Sequence, residues 1–484
     1  MIFDNSYTQL PNHFFQRISP VAVEKPSLIR LNTPLADELG LQLPDNNQQL
    51  AELFSGNVLM EGMDPIAQAY AGHQFGHFVH QLGDGRAVLL GEIVTDQGKR
   101  CDIQLKGSGQ TAFSRNGDGR SPLGPVIREY VVSEAMHALG IPTARALAMV
   151  STGETVYRET PLPGAILTRM AASFIRVGTF EYFAARNDLK ALRTLVDYTI
   201  KRHYPEVAKE ASPVAHFFRA VCNAQAQLLA QWMCVGFIHG VMNTDNTAIS
   251  GETIDYGPCA FMDNYNPAQV FSSIDHTGRY AYNQQPLIAQ WNMGCLGGCL
   301  IPFLHKDEQS AKAIGEDILA TFTPTFAHHY RTGMCAKIGL ASESDHGFAH
   351  VKRLLEIMHQ DHVDFTESFR LLSNATTDTP PFASLFSSRK LIDQWVADWQ
   401  ALLDQEARTR AEVSQSMRTT NPAYIPRNHR IEEAIRAAED HGNFTFTHRL
   451  IEVLSTPYAD QPNHHEYRKP PEPSERVLQT FCGT

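Results

Sequence analysis

The sequence has no C-x-x-C pair, no apolar run approaching a membrane span and no excess of basic residues. Its start, Met1-Ile2-Phe3-Asp4-Asn5, has neither a cationic n-region nor an apolar h-region. Each absence excludes something. Eight scattered cysteines, the closest being Cys295 and Cys299, favour free thiols in a reducing compartment over a disulfide framework. Without a span or a signal, the expectation is a soluble cytoplasmic monomer with no membrane partner. Lys and Arg number 41 against 52 Asp and Glu, a net charge of −11. That balance opposes a nucleic-acid partner, which needs a basic face, yet it is compatible with a local cationic pocket. The apolar fraction of 43% supports a sizeable core. The length fits about three domains, or one large elaborated domain, at ~150 residues each.

The chain is organised around Phe237-Ile238-His239-Gly240-Val241-Met242-Asn243-Thr244-Asp245-Asn246-Thr247-Ala248-Ile249 and the following Asp255-Tyr256-Gly257. It reads as a helix end, a polar loop, a short β-run and a second acidic turn. Val214 to Val235, just before it, is a helical stretch rich in Ala, Leu and Gln. Asp245, Asn246 and Asp255 offer the carboxylate and amide oxygens that hard cations such as Mg²⁺ share with phosphate. The pattern resembles a protein-kinase catalytic loop followed by its metal-binding turn. In the kinase motif H-R-D-x-x-x-x-N, counting back from Asn246 puts the catalytic Asp at Val241, which cannot accept a proton. Asp245 is the nearest replacement in sequence, with a loop-capping role as its alternative. Asn246 and Asp255 have turn residues as theirs. His239 reads as a support of the loop.

Residues 1 to about 80 read as irregular, apart from a short helix at Thr33–Gly40 with Thr33 as its cap. Within Tyr70-Ala71-Gly72-His73-Gln74-Phe75-Gly76-His77, the two His could bind a metal, with packing as the ordinary alternative. Gln81-Leu82-Gly83-Asp84-Gly85-Arg86 is a glycine turn, and 87–94 and 100–106 are strands joined at Asp96-Gln97-Gly98. Such a turn can put backbone N–H groups on phosphate oxygens. The second strand ends in Lys106, which is either a phosphate ligand or a solvated strand-end lysine. Thr111 to Ser121 is a Gly-rich loop containing Asp118 and Gly119. Leu123 to Leu139 is an amphipathic helix bearing Glu129 and Glu134. Spacing alone does not say which of the two pairs with Lys106, and Glu134 otherwise reads as solvated. Further strands are expected at 144–150, 155–158 and 164–170, with a turn at Thr152-Gly153-Glu154. Arg169 and Arg176, leaving this sheet, could clamp phosphate or be ordinary surface charges. From Glu181 onward the chain is mainly helical, and its polar tail, 461–473, reads as extended or disordered.

Together these residues resemble the selenoprotein O family, also called SelO or YdiU, over nearly the whole chain. The resemblance is carried by Ala71-Gly72-His73-Gln74-Phe75-Gly76, Gln104-Leu105-Lys106-Gly107-Ser108-Gly109, Asp118-Gly119-Arg120-Ser121, the 239–246 loop, Asp255-Tyr256-Gly257 and Asn421-Pro422-Ala423-Tyr424-Ile425-Pro426-Arg427-Asn428-His429. It implies an α+β, protein-kinase-like bilobal fold: an N-terminal extension (1–80), a β-rich N-lobe (81–172), a helical C-lobe (173–400) and a C-terminal extension (401–484). It also implies AMP transfer from ATP to Ser, Thr or Tyr hydroxyls of protein substrates, with Mg²⁺ or Mn²⁺ and with ATP inverted relative to a kinase. Carried over, Lys106 contacts phosphates and Glu129 is its helix partner. Arg169 and Arg176 hold phosphates. Gly83, Gly85, Arg86, Asp118 and Gly119 line the nucleotide site. Asn246 and Asp255 are the metal ligands, and Asp245 accepts the proton. Ordinary phosphotransfer and a non-catalytic nucleotide-binding scaffold are the rival readings, and UTP stays open as a donor. Family members often pair a tail cysteine with one in the loop after the D-Y-G turn. Cys482 matches the first, but Val270–Asp275 has no cysteine and Cys259 lies closer to the turn, so the tail thiol is read as unpaired.

Overall fold

The computed structural model of the protein describes residues 2–481, so Cys482 and its tail thiol lie outside the described residues. The fold is α+β. Its main sheet is antiparallel and nine-stranded. The path runs Phe15–Arg17, Ile66–Gln68, Ala87–Val94, Arg100–Lys106, Pro161–Ala171, Arg145–Tyr157, Ser27–Leu31. Ile2–Phe3 pairs with Ala87–Val94, and Ser121–Pro122 with Pro161–Ala171.

The period of two along the central strands decides what each face does. Cys101, Ile103 and Leu105 point into an apolar layer closed by Leu35, Leu50 and Phe54 of the helices Thr33–Glu38 and Asn47–Ser55. Asp102, Gln104 and Lys106 alternate with them and are buried on the opposite face. On the neighbouring strand, Arg169 stands opposite Gln104 and Leu167 opposite Lys106. The helix Leu123–Ala138 packs over this second face and is covered in turn by Asn428–His441.

The rest of the chain is helical. Pro213–Val235 begins with Pro at its first position and ends at Gly236 in the left-handed conformation, φ +73°. Phe237–Ile238 then pairs with Ala260–Phe261, so residues 239–259 form a loop pinned at both ends. A separate cluster around Phe369, Trp395 and Trp399 fills the distal helices. Tyr282–Leu304 is long and apolar enough to cross a membrane by length and composition, contrary to the reading that no run approaches a span. Half of that stretch is buried, with Met293, Leu296 and Leu300 in the core beside Pro213–Val235.

Several local expectations are corrected. The first 80 residues are not irregular, since four of their strands complete the main sheet. Asn32, not Thr33, caps the first helix by accepting from Leu35 N–H. Thr152-Gly153-Glu154 is not a turn between strands but a bulge within Arg145–Tyr157, where the register against Pro161–Ala171 shifts. The tail holds a 3₁₀ segment, Pro462–Tyr467, and Arg468 beyond it donates to both Glu367 oxygens at 2.7 and 2.8 Å.

Glu134 is also not solvated. Its carboxylate accepts from Arg145 at 2.9 and 2.8 Å, from the Ala146 N–H at 2.8 Å and from Asn32 Nδ2 at 2.7 Å. One side chain thus ties the helix to the sheet and to the N-terminal segment. Glu134→Ala removes the main partner of the half-buried Arg145, which keeps only Glu38 at 3.7 Å, and should cost about 2 kcal/mol for the lost charge-assisted hydrogen bonds, read as a lower urea midpoint. An unchanged midpoint would show that the network contributes nothing.

Candidate active site

A cleft of about 560 Å³ opens between the sheet and the 239–259 loop, within the usual range for small-molecule sites. Gly83, Gly85, Arg86, Lys106, Asp118, Gly119, Arg169, Arg176, Asp245, Asn246 and Asp255 all line it. Seven basic and four acidic side chains face the cavity. The protein is acidic as a whole, yet this one surface is suited to a polyanion.

Glu129, on the covering helix, does not line the cleft. It stands behind it, taking Lys106 Nζ at 2.6 Å and Arg169 at 3.0 Å. The ambiguity between Glu129 and Glu134 is thereby resolved in favour of Glu129. Asp255 receives three cations. Lys106 and Arg169 donate to Oδ1 at 2.8 and 2.6 Å, and Arg176 to Oδ2 at 3.1 Å. Burial pushes this carboxyl up, but Arg169, Lys106 and Arg176 outweigh it and hold it well below the usual carboxylate range. Asp255 sits at φ +60°, a conformation uncommon outside glycine, and the Gly257 N–H closes the turn onto its carbonyl at 2.9 Å.

Asp245 differs. Burial drives its carboxyl up to about 7, partly offset by Arg176. Its Oδ1 is buried without a hydrogen-bond partner, and Oδ2 has only a 3.5 Å contact from Gln74. Arg176 donates instead to the Asp245 backbone carbonyl, at 2.8 Å. Close packing enforces this placement. A Cβ at Gly72 would fall 2.4 Å from Asp245 Oδ1. Asn246 Nδ2 donates to the Val241 carbonyl at 3.0 Å, which turns its amide oxygen away from that bond. Val241 is buried at the cleft wall.

His239 supports the loop, as expected. Its ring is buried, stacked on Trp232, and bonded through Nε2 to the Ile254 carbonyl at 2.9 Å. Burial lowers its pKa, so the neutral ring donates to that carbonyl. Gly83, at φ +76°, lies so close to Phe113 that a Cβ would come within 2.3 Å of the ring. Asp118 is partly exposed at the mouth, where Arg158 binds it at 2.8 and 3.0 Å and lowers its pKa. His73 and His77 do not converge. They lie on the hairpin Gly72–Gln74 and His77–Val79, where His77 is exposed and His73 turns inward to Glu181.

Four contributors were missed by sequence reasoning. Gln104 orients Arg169, accepting from Nε at 2.9 Å. Asp84 is buried, and its Oδ2 takes the Gln68 N–H and Gln104 Nε2. The Tyr70 ring lies 4.3 Å under the Arg176 guanidinium. Asn243 Oδ1 takes the Phe75 N–H at 3.1 Å and the Tyr280 hydroxyl at 2.6 Å, clamping the loop. For Gln104 a signal existed. Three polar residues alternating with apolar ones in 101–106 mark a polar strand face, which is informative when that face is buried.

Comparison with known proteins finds relatives over the whole chain. A family model described as "Protein adenylyltransferase SelO" matches residues 1–455. A "Protein nucleotidyltransferase YdiU" of Maridesulfovibrio salexigens is 57% identical over 100% of this chain and 98% of its own length. Proteins of the same description from Rhizobium johnstonii and Bradyrhizobium diazoefficiens are 55% and 53% identical, over 100% of this chain and 97% and 99% of their own. With a family match across 1–455 and relatives aligned end to end, the chain belongs to the SelO (YdiU) family of protein nucleotidyltransferases.

Proposed function

We propose that the protein transfers AMP from ATP to Ser, Thr or Tyr hydroxyls of other proteins, using Mg²⁺ or Mn²⁺, with ATP inverted relative to a kinase. The observation that carries this reading is the convergence of Lys106, Arg169 and Arg176 on Asp255 in a family nucleotidyltransferase whose kinase-base position is Val241. The fold is read as kinase-like: 81–172 as N-lobe, 173–400 as C-lobe, with extensions at 1–80 and 401–484. The N-terminal extension supplies sheet strands to the N-lobe.

The donor set suits a hard cation. The Asn246 amide oxygen and the Asp255 carboxylate are oxygen donors of two residues that line the cleft, and they would hold the ion. Bound there, such an ion would neutralise phosphate charge. The chain's own residues do the rest. Lys106, Arg169 and Arg176 hold the phosphates, with Glu129 keeping Lys106 and Arg169 in place. The Gly83–Arg86 turn and Asp118–Gly119 shape the nucleotide pocket. Asp245 takes the proton of the attacking hydroxyl, which bonds to the α-phosphorus as pyrophosphate leaves. Asp245 lines the cleft, and its Oδ2 has only the 3.5 Å contact from Gln74, which leaves the carboxylate free to take such a proton.

Intact mass after incubation with ATP, metal and candidate substrate proteins tests the function. A gain of AMP on the acceptor, lost with Asp255→Ala, is expected. A gain of phosphate would replace the proposal with phosphotransfer. Asp245→Asn should lower turnover by ~10²–10⁴-fold with ATP affinity changed far less. Gly72→Ala should act in the same direction, because its methyl group displaces the Asp245 carboxylate without removing it. Near-normal turnover of Asp245→Asn would make Asp245 structural. Arg176→Ala should weaken ATP binding more than AMP binding by calorimetry. Equal losses would deny Arg176 a terminal-phosphate role.

A further inference from the structure

Beside the cleft, outside its lining, three side chains from distant parts of the chain meet. His73 comes from the hairpin, Glu181 from the helix Val177–Ala184 and Cys295 from the helix Gln285–Leu304. One donor atom of each lies within 4.8 Å of the others. His73 Nδ1 is 2.6 Å from Glu181 Oε1 and 4.0 Å from Cys295 Sγ. The Glu181 side chain is 4% exposed, while that of His73 is 25% exposed. The cluster is therefore anchored inside and open on one edge.

We propose that His73, Glu181 and Cys295 form a site for a borderline-soft divalent cation of the zinc class, distinct from the oxygen-lined nucleotide cleft. The argument is one of donor chemistry and distance. Imidazole, carboxylate and thiolate are the three protein ligand types of zinc, and thiolate disfavours Mg²⁺. Tetrahedral bonds of ~2.0–2.1 Å to N and ~2.3 Å to S put those two atoms about 3.6 Å apart. The observed separation needs only a small contraction. The His–Glu contact opens from hydrogen-bond distance as the ion replaces the proton between them. One carboxylate and one thiolate balance the ion's two charges.

On binding, the Cys295 thiol releases its proton to solvent, and the imidazole proton moves from Nδ1 to Nε2. Without a cation, burial and the neighbouring Glu181 push the thiol up to about 12, so it is no nucleophile by itself. Outer contacts already orient the ligands. Thr244 Oγ1 donates to the other Glu181 oxygen and accepts the His73 N–H at 2.7 Å. The rings of Phe78 and Trp291 flank His73 at 4.9 and 5.1 Å. Thr244 immediately precedes Asp245, and Gly72 packs on it, so an ion here would brace the hairpin and both helices against the catalytic loop.

The test is Co²⁺ titration of the metal-stripped full chain with Mg²⁺ in excess. One equivalent should produce a sulfur-to-cobalt charge-transfer band, which the cleft, offering no sulfur, does not give. Zn²⁺ should displace it. Cys295→Ser should abolish the band, and Cys222→Ser, a buried cysteine elsewhere, should leave it intact. His73→Gln, at a partly exposed position, should weaken Co²⁺ binding by more than the ~10–100-fold typical of an outer-sphere change. Absence of the band in folded wild-type protein, or its persistence in Cys295→Ser, would overturn the proposal.

Discussion

The Asp255 carboxylate, with Lys106, Arg169 and Arg176 around it, is the contact on which the rest of the site depends. Three cations gathered this closely repel one another, and each is costly to remove from water unless paired. A single anion at their centre makes the cluster tolerable. It also joins three separate pieces of chain: a sheet strand, the strand and segment leading out of it, and the turn after the loop. Glu129 closes the arrangement from behind. The cluster therefore fixes the sheet against the loop and keeps positive charge facing the cleft.

The same clustering explains how a protein of net charge −11 presents a cationic cavity. Of the cleft's four aspartates, Asp255 is held ionised by its partners and Asp118 is paired with Arg158 at the mouth. Asp84 and Asp245 are pushed by burial toward the neutral form. The negative charge that would oppose a polyphosphate is thus partly neutralised, and the basic residues dominate. Asp245 is kept poorly solvated by Gly72 beneath it, while Arg176 reaches its backbone rather than its carboxylate. That leaves the carboxylate uncommitted, as the proposed role of proton acceptor requires.

Much of this was legible in the chain. The glycine turn, the two strands, Lys106 at a strand end, the covering helix and the Asp245–Asn246 and Asp255 pattern are local features. Local features follow from period, turn chemistry and capping. The motifs also carried the family resemblance, which the comparisons bear out. The net charge follows from composition alone, and the placement of Val241 where a kinase has its base follows from counting back from Asn246.

What the tertiary structure decided was every choice between equivalent candidates. Glu129 and Glu134 lie on one helix, and only its packing against the sheet sends the first to Lys106 and the second to Arg145. Gln104 and Asp84 read as ordinary strand and turn residues until the face they share is buried. His73 and His77 look like a pair in sequence, but the hairpin separates them and brings His73 to Glu181 and Cys295 instead. The physical reason is the same in each case. Sequence patterns fix local geometry and residue chemistry, whereas partners distant along the chain are chosen by which surfaces exclude water together.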